Sequence, residues 1–116
     1  MRHAYNAHFD RSPKLLVLVY HRVLEQIQPN PLDTKVTLRT FKNQLDGLLR
    51  RYPVISLDEA IRQCRSGEIK APIQAVVTFD DGYADNYEIA FPILREKGVC
   101  ASFFLVTDYI EKKRPL

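Results

Sequence analysis

An α/β fold with parallel strands is what this chain predicts, and three observations carry it. Residues 15–20, 75–79 and 101–106 are short, predominantly apolar runs rich in β-branched or aromatic residues, the first of them without interruption. Amphipathic helical stretches separate them, and polar turns or small residues close them. Strands alternating with helices at this spacing imply βαβ units, whose crossovers are overwhelmingly right-handed. At 116 residues the chain is the size of one small domain, large enough for a single compact core.

Composition narrows the classes. Apolar residues make up 46% and charged residues 27% of the chain, near the average for folded proteins and far from the balance that keeps chains disordered. The formal charge of +3 arises from 17 basic and 14 acidic residues spread along the chain, so no dense basic face for nucleic acid is expected. No apolar run reaches the roughly 20 residues of a membrane span. Residues 1–13 hold two histidines, two arginines and little apolar material, show no apolar periodicity, and end in Ser12-Pro13. They read as a flexible leader in which His3 and His8 are solvated, with the domain running from 14 to 116. Cys64 and Cys100 lack CxxC spacing, and a reduced, structural role is the plainer reading.

The first run, 15–20, has the pattern of a strand buried on both faces. His21 and Arg22 stand at its carboxyl end. Pro29, Asn30, Pro31 and Asp33 then predict a surface loop. Thr37 is placed to cap a helix in which Leu38, Phe41, Leu45, Leu48, Leu49 and Tyr52 recur at spacings of three and four, giving one apolar stripe. Pro53 closes it, Val54-Ile55 predicts a brief strand, and Ser56 with Glu59 predicts a capping box. That second helix runs to about Ser66, where Gly67 supplies the left-handed stop.

After the second run comes Asp80-Asp81-Gly82. Residues 84–97 are helical in character, with Tyr87, Ala90, Phe91 and Leu94 on one side, and Pro92 is expected to bend or split the segment. Gly98 ends it, and the third run follows. In parallel α/β folds the carboxyl ends of strands face the ligand, so the residues just past Tyr20, Phe79 and Val106 matter most. Adjacent carboxylates at a buried strand end are costly unless a cation or hydrogen bonds offset their repulsion. Taken alone, Asp-Asp-Gly is also an ordinary turn whose aspartates cap the next helix.

The longer string Val76-Val77-Thr78-Phe79-Asp80-Asp81-Gly82-Tyr83-Ala84-Asp85-Asn86-Tyr87 decides between these readings when taken with Phe91-Pro92-Ile93-Leu94 and Gly98-Val99-Cys100-Ala101-Ser102-Phe103-Phe104-Leu105. It resembles the first motif of the polysaccharide deacetylase family, the NodB-like domain of carbohydrate esterase family 4. Upstream, Val19-Tyr20-His21-Arg22-Val23 and Val54-Ile55-Ser56-Leu57-Asp58-Glu59-Ala60 extend the resemblance to about residues 15–110.

The resemblance implies a partial distorted (β/α) barrel, truncated after about four strands. It implies metal-dependent hydrolysis of N-acetyl groups from an N-acetylglucosamine-containing polysaccharide, with a divalent metal, zinc or similar, as cofactor. Asp80 matches the family's general base and Asp81 its metal-binding aspartate. His21 and Tyr83 fall where they could bind substrate or support the site, although Tyr83 is equally placed to pack beside the turn and Asp85 to be a helix-start charge. The family completes its metal site with an H-[ST]-x-x-H motif. No histidine follows Asp81 in this sequence, which implies an incomplete site and leaves open a catalytically inactive half-barrel that self-associates or pairs with a complementary fragment. Relatives acting on envelope polymers favour the periplasm or cell surface. A nucleotide-binding module has no GxGxxG or GxxxxGK[ST] loop to support it.

Overall fold

The structure is a computed structural model that describes residues 12–27 and 34–110. Residues 1–11, which include His3, His8 and most of the expected leader, lie outside the described residues, as does the Pro-rich part of the expected loop, 28–33.

Three parallel strands form the sheet in the order β1-β4-β5: β1 is Lys14–Tyr20, β4 is Ile73–Phe79 and β5 is Ala101–Phe103. The register pairs Leu18 with Val77 and Tyr20 with Phe79, and then Phe79 with Phe103, so these side chains share one face. On that face lies helix α1, Leu38–Arg51, whose Phe41, Leu45 and Leu48 enter a core with Tyr20, Ala75, Val77, Phe79, Ile93 and Leu94. Phe79 is its aromatic centre. It stacks on Tyr20 at 5.4 Å and on Phe103 at 4.9 Å, while Phe41 meets both Tyr20 and Phe79 edge-on. Truncating a buried Phe of this kind costs about 3–5 kcal/mol.

The helix ends follow their residues. Thr37 accepts a hydrogen bond from the Thr40 N–H and opens α1; Ser56 accepts one from the Glu59 N–H and opens α2, Leu57–Ser66; Gly67, at φ 73°, closes it. Only half of the expected capping box forms. The Glu59 carboxylate turns to Arg62, Gln63 and Lys70 instead of reaching back to Ser56. Val54 makes an isolated parallel bridge to Ala75, the brief strand expected there.

Four elements depart from the sequence reading. β1 is not buried on both faces: Leu15, Leu16, Val17 and Val19 are exposed, since the core packs at the Leu18 and Tyr20 positions of the strand and β1 is an edge strand of the described sheet. On either side of the expected loop the sequence reading missed two short strands, β2, Arg22–Leu24, and β3, Lys35–Thr37, paired in parallel, with Val23 fully buried. Leu49 is exposed although it falls on the apolar stripe. The third run keeps strand geometry only over β5 and then turns into a short 3-10 helix, Thr107–Tyr109.

Pro92 acts as expected, by a particular device. The chain enters a π-helical turn, Asn86–Ala90, and continues as α3, Phe91–Glu96. Proline has no N–H to donate and crowds the carbonyl four residues earlier; widening the preceding turn by one residue accommodates both. The inserted residue rotates the face, so that Asn86, Ala90, Ile93 and Leu94 point inward. Tyr87, expected on the apolar side, is 75% exposed and stacks on Phe91. Both cysteines are free, in line with the reduced state expected of them, and both are exposed. No helix of the described residues is long and apolar enough to cross a membrane.

Candidate active site

β4 carries six consecutive buried residues up to Phe79 and then breaks into Asp80, Asp81 and Gly82. The ladder ends there on both sides: the Asp80 N–H donates to the Tyr20 carbonyl at 2.9 Å, and the Phe104 N–H donates to the Phe79 carbonyl at 2.8 Å. The Asp80 side chain therefore leaves the sheet at its carboxyl edge, the position read from the sequence. Asp81 takes φ 74° and Gly82 φ 71°, two successive left-handed residues that reverse the chain into the π-helical turn. Gly82 serves the turn through its positive φ; a Cβ there would also come within 2.7 Å of Leu105 Cδ2, the tip of an exposed side chain that could swing aside. Asp81 is the one described non-glycine residue with a positive φ, a conformation aspartate tolerates better than most but at a cost.

His21 follows β1 and reaches the same edge. Its Nε2 lies 3.9 Å from Asp80 Oδ2, with both side chains about one third exposed. The gap exceeds a hydrogen bond, so the pair is adjacent without being bonded. No hydrogen bond or ion pair among the described residues occupies the Asp81 carboxylate, which leaves it open to a cation or to solvent.

Behind this edge lies a buried polar knot that the sequence reading did not find. Asp85 accepts from Arg22 Nε through Oδ2 at 2.8 Å and from the Val23 N–H through Oδ1 at 3.0 Å. Asn86 Nδ2 donates to the His21 carbonyl at 2.8 Å. The Arg22 guanidinium stands 4.6 Å above the Tyr83 ring, a cation–π contact. Asp85 and Asn86 are 5% and 3% exposed. Asp85 does stand at the start of the helical segment, but its carboxylate is committed to Arg22 and Val23, and Tyr83 packs under Arg22. The available signal was the adjacent polar pair on a helix flanked by apolar residues, but its partner 62 residues away has no local mark.

A cleft of about 720 Å³ runs beside β1, lined by Tyr20, His21, Lys35, Gln44, Arg51 and Tyr52 among others. It includes His21 and neither aspartate. Among the described residues no set of three or more His, Cys, Asp or Glu side chains converges on a common point. Catalytic zinc usually takes three protein ligands, so the described residues do not form a complete metal centre.

Similarity to known proteins was found at three levels. Residues 69–116, the segment holding Asp80 and Asp81, match the family model for polysaccharide deacetylase. Across 112 residues the chain is 26% identical to YxkH of Bacillus subtilis (strain 168), whose own assignment as a polysaccharide deacetylase is provisional; the match covers 92% of this chain and 37% of that protein. Among solved structures, IcaB from Ammonifex degensii is 33% identical with a TM-score of 0.70, over 85% of this chain and 41% of that one. The de-N-acetylase from Aggregatibacter actinomycetemcomitans is 25% identical with a TM-score of 0.71, over 88% of this chain and 42% of that one. The chain therefore spans about two fifths of the length of these relatives.

Proposed function

Because the chain belongs to the polysaccharide deacetylase family and spans part of its (β/α)-barrel fold, we propose that it contributes the catalytic base and one metal ligand to hydrolysis of N-acetyl groups on an N-acetylglucosamine-containing polysaccharide. The observation that carries this reading is the placement of Asp80 and Asp81 together at the carboxyl edge of a buried parallel strand, with Asp81 held in a left-handed conformation. Strain retained at a site of this kind points to function. The de-N-acetylase among the similar structures supports an amide as the bond broken.

In this reading Asp80 accepts the proton of the attacking water, and His21, 3.9 Å away, supports that carboxylate or lines the substrate groove with Tyr83. Asp81 is the ligand this chain offers to a divalent metal such as zinc, which when bound supplies Lewis acidity. Its remaining ligands come from outside the described residues. Residues 14–116 form the domain segment, and export to the envelope fits the substrate.

The test is acetate release from N-acetylated glucosamine oligomers, with and without added zinc, for the wild-type chain and Asp80→Asn. Loss of acetate with Asp80→Asn supports the assignment of the base; release that is unchanged by the substitution removes it. A second reading, a non-catalytic half-barrel that pairs with another copy of itself, is favoured by one observation: β1 has an edge with no partner among the described residues, and Val17 and Val19 are each about half exposed.

A further inference from the structure

Asp85 and Asn86 hold three successive residues of the β1–β2 corner by three different groups. Asn86 Nδ2 takes the His21 carbonyl, Asp85 Oδ2 takes the Arg22 side chain, and Asp85 Oδ1 takes the Val23 N–H. On the other side of His21, the Tyr20 carbonyl is fixed by the Asp80 N–H. His21 is therefore pinned on both flanks through its backbone, while its imidazole has no direct hydrogen bond to Asp80 at 3.9 Å. A side-chain pair that does not bond to itself keeps its separation only if something else sets it.

From this geometry we infer that Asp85 and Asn86 are positioning residues, which fix the distance between His21 and Asp80 and hence the orientation of the proposed base. The inference rests on the reading of Asp80 given above. The knot is suited to the task because it is buried, charge-assisted and joins two segments more than 60 residues apart. Arg22 adds a second restraint by lying over Tyr83, which follows directly on the Asp81-Gly82 turn. The same two residues thus tie the corner carrying His21 to the helix that leaves the aspartates. A displacement of about 1 Å at a catalytic group can cost about 100-fold in rate, so a restraint of this kind has a catalytic consequence without touching substrate.

The experiment is carbon-proton NMR of the His21 ring in the full chain, assigned with His21→Gln. The shift produced at the ring by Asp80→Asn measures how closely the two side chains are held. In the Asn86→Ala and Asp85→Asn backgrounds that response is expected to fall by more than about half, whereas in a Glu59→Gln background, which alters a network remote from the site, it keeps its wild-type size. Asn86→Ala deletes the bond to the His21 carbonyl and a longer one to Asp85 Oδ1 at 3.4 Å, together with an oxygen, Oδ1, that is buried without a partner; it leaves both Asp85 bonds to the corner in place, so it is the variant expected to fold even where an Asp85 variant does not. An undiminished response in Asn86→Ala overturns the inference. Acetate release separates the two claims: indifference of release to Asp80→Asn defeats the assignment of the base, while the ring response still decides whether the knot sets the distance. Where Asp80 does act, Asn86→Ala lowers kcat about 10-fold or more with little change in KM.

Discussion

The last rung of the β1–β4 ladder joins the Asp80 N–H to the Tyr20 carbonyl at 2.9 Å, so the backbone of the proposed base is part of the sheet while its carboxylate is not. Tyr20 is itself held by the Phe41–Phe79 aromatic core and by its hydroxyl, which donates to Gln44 Oε1 at 2.9 Å. The consequence is a carboxylate mounted on a rigid support. Asp80→Asn keeps that support and removes only the proton acceptor. Acetate release is expected to fall about 100-fold or more, with a circular dichroism spectrum and melting midpoint close to wild type.

Asp81 separates stability from function. A left-handed conformation costs an ordinary side chain about 1–2 kcal/mol and glycine almost nothing. Asp81→Ala keeps the strain and loses the carboxylate; Asp81→Gly relieves the strain and loses the carboxylate. We expect Asp81→Gly to be more stable than Asp81→Ala by about 1 kcal/mol in urea unfolding, and both to abolish any zinc-dependent acetate release. Equal stability of the two variants would show that φ 74° is not the conformation held in solution.

Much of this arrangement was legible because it is local. Thr37, Ser56 and Gly67 cap helices through bonds spanning three or four residues, and Asp80 and Asp81 sit where an apolar run stops. The exposure of β1 was not legible: an apolar run signals burial, and only the structure shows that β1 is an edge strand of the described sheet whose core contacts are made at Leu18 and Tyr20. The outward turn of Tyr87 depends on the extra residue of the π-turn before Pro92, which a regular helical period cannot anticipate. Asp85 was hidden for a third reason. Its partners, Arg22 and Val23, belong to β2, a short strand that the sequence reading missed.

Glu59 anchors α2 to the segment before β4. Its carboxylate accepts from Arg62, Lys70 and Gln63, and these hydrogen bonds, Arg62 first, hold its pKa well below the ordinary 4.5. A depressed folded-state pKa contributes stability that is complete above the unfolded value and lost as pH falls through the folded one. Glu59→Gln is therefore expected to melt at a lower temperature than wild type at pH 7, with the difference closing steadily below about pH 4. The carboxylate is partly exposed and its Arg62 and Lys70 partners are more so, so solvent screens the pairs and the effect at pH 7 is small and shrinks further in high salt. A pH-independent difference would assign the effect to packing instead of charge.

β1 supplies the sharpest test of the second reading. An open strand edge is a template for another strand, and proteins usually blunt such edges with lysine, proline or a bulge. Here Lys14 is the one charge within Lys14–Tyr20, and it lies at the strand's start. Leu15, Val17 and Val19 alternate along the strand, so all three face the same side of the sheet, exposed at 39%, 51% and 52%. Two copies related by a two-fold axis can pair these edges antiparallel and bring the same residues together across the join. Sedimentation of the full chain is expected to show concentration-dependent dimers at micromolar levels. The double substitution Val17→Lys with Val19→Lys puts like charges across that join and should weaken association at least about 10-fold. Each lysine replaces a half-exposed side chain, so the melting midpoint should fall little. A wild-type chain that sediments as a monomer at every concentration contradicts edge pairing between copies and leaves the contribution of Asp80 and Asp81 to a deacetylase site as the one reading standing.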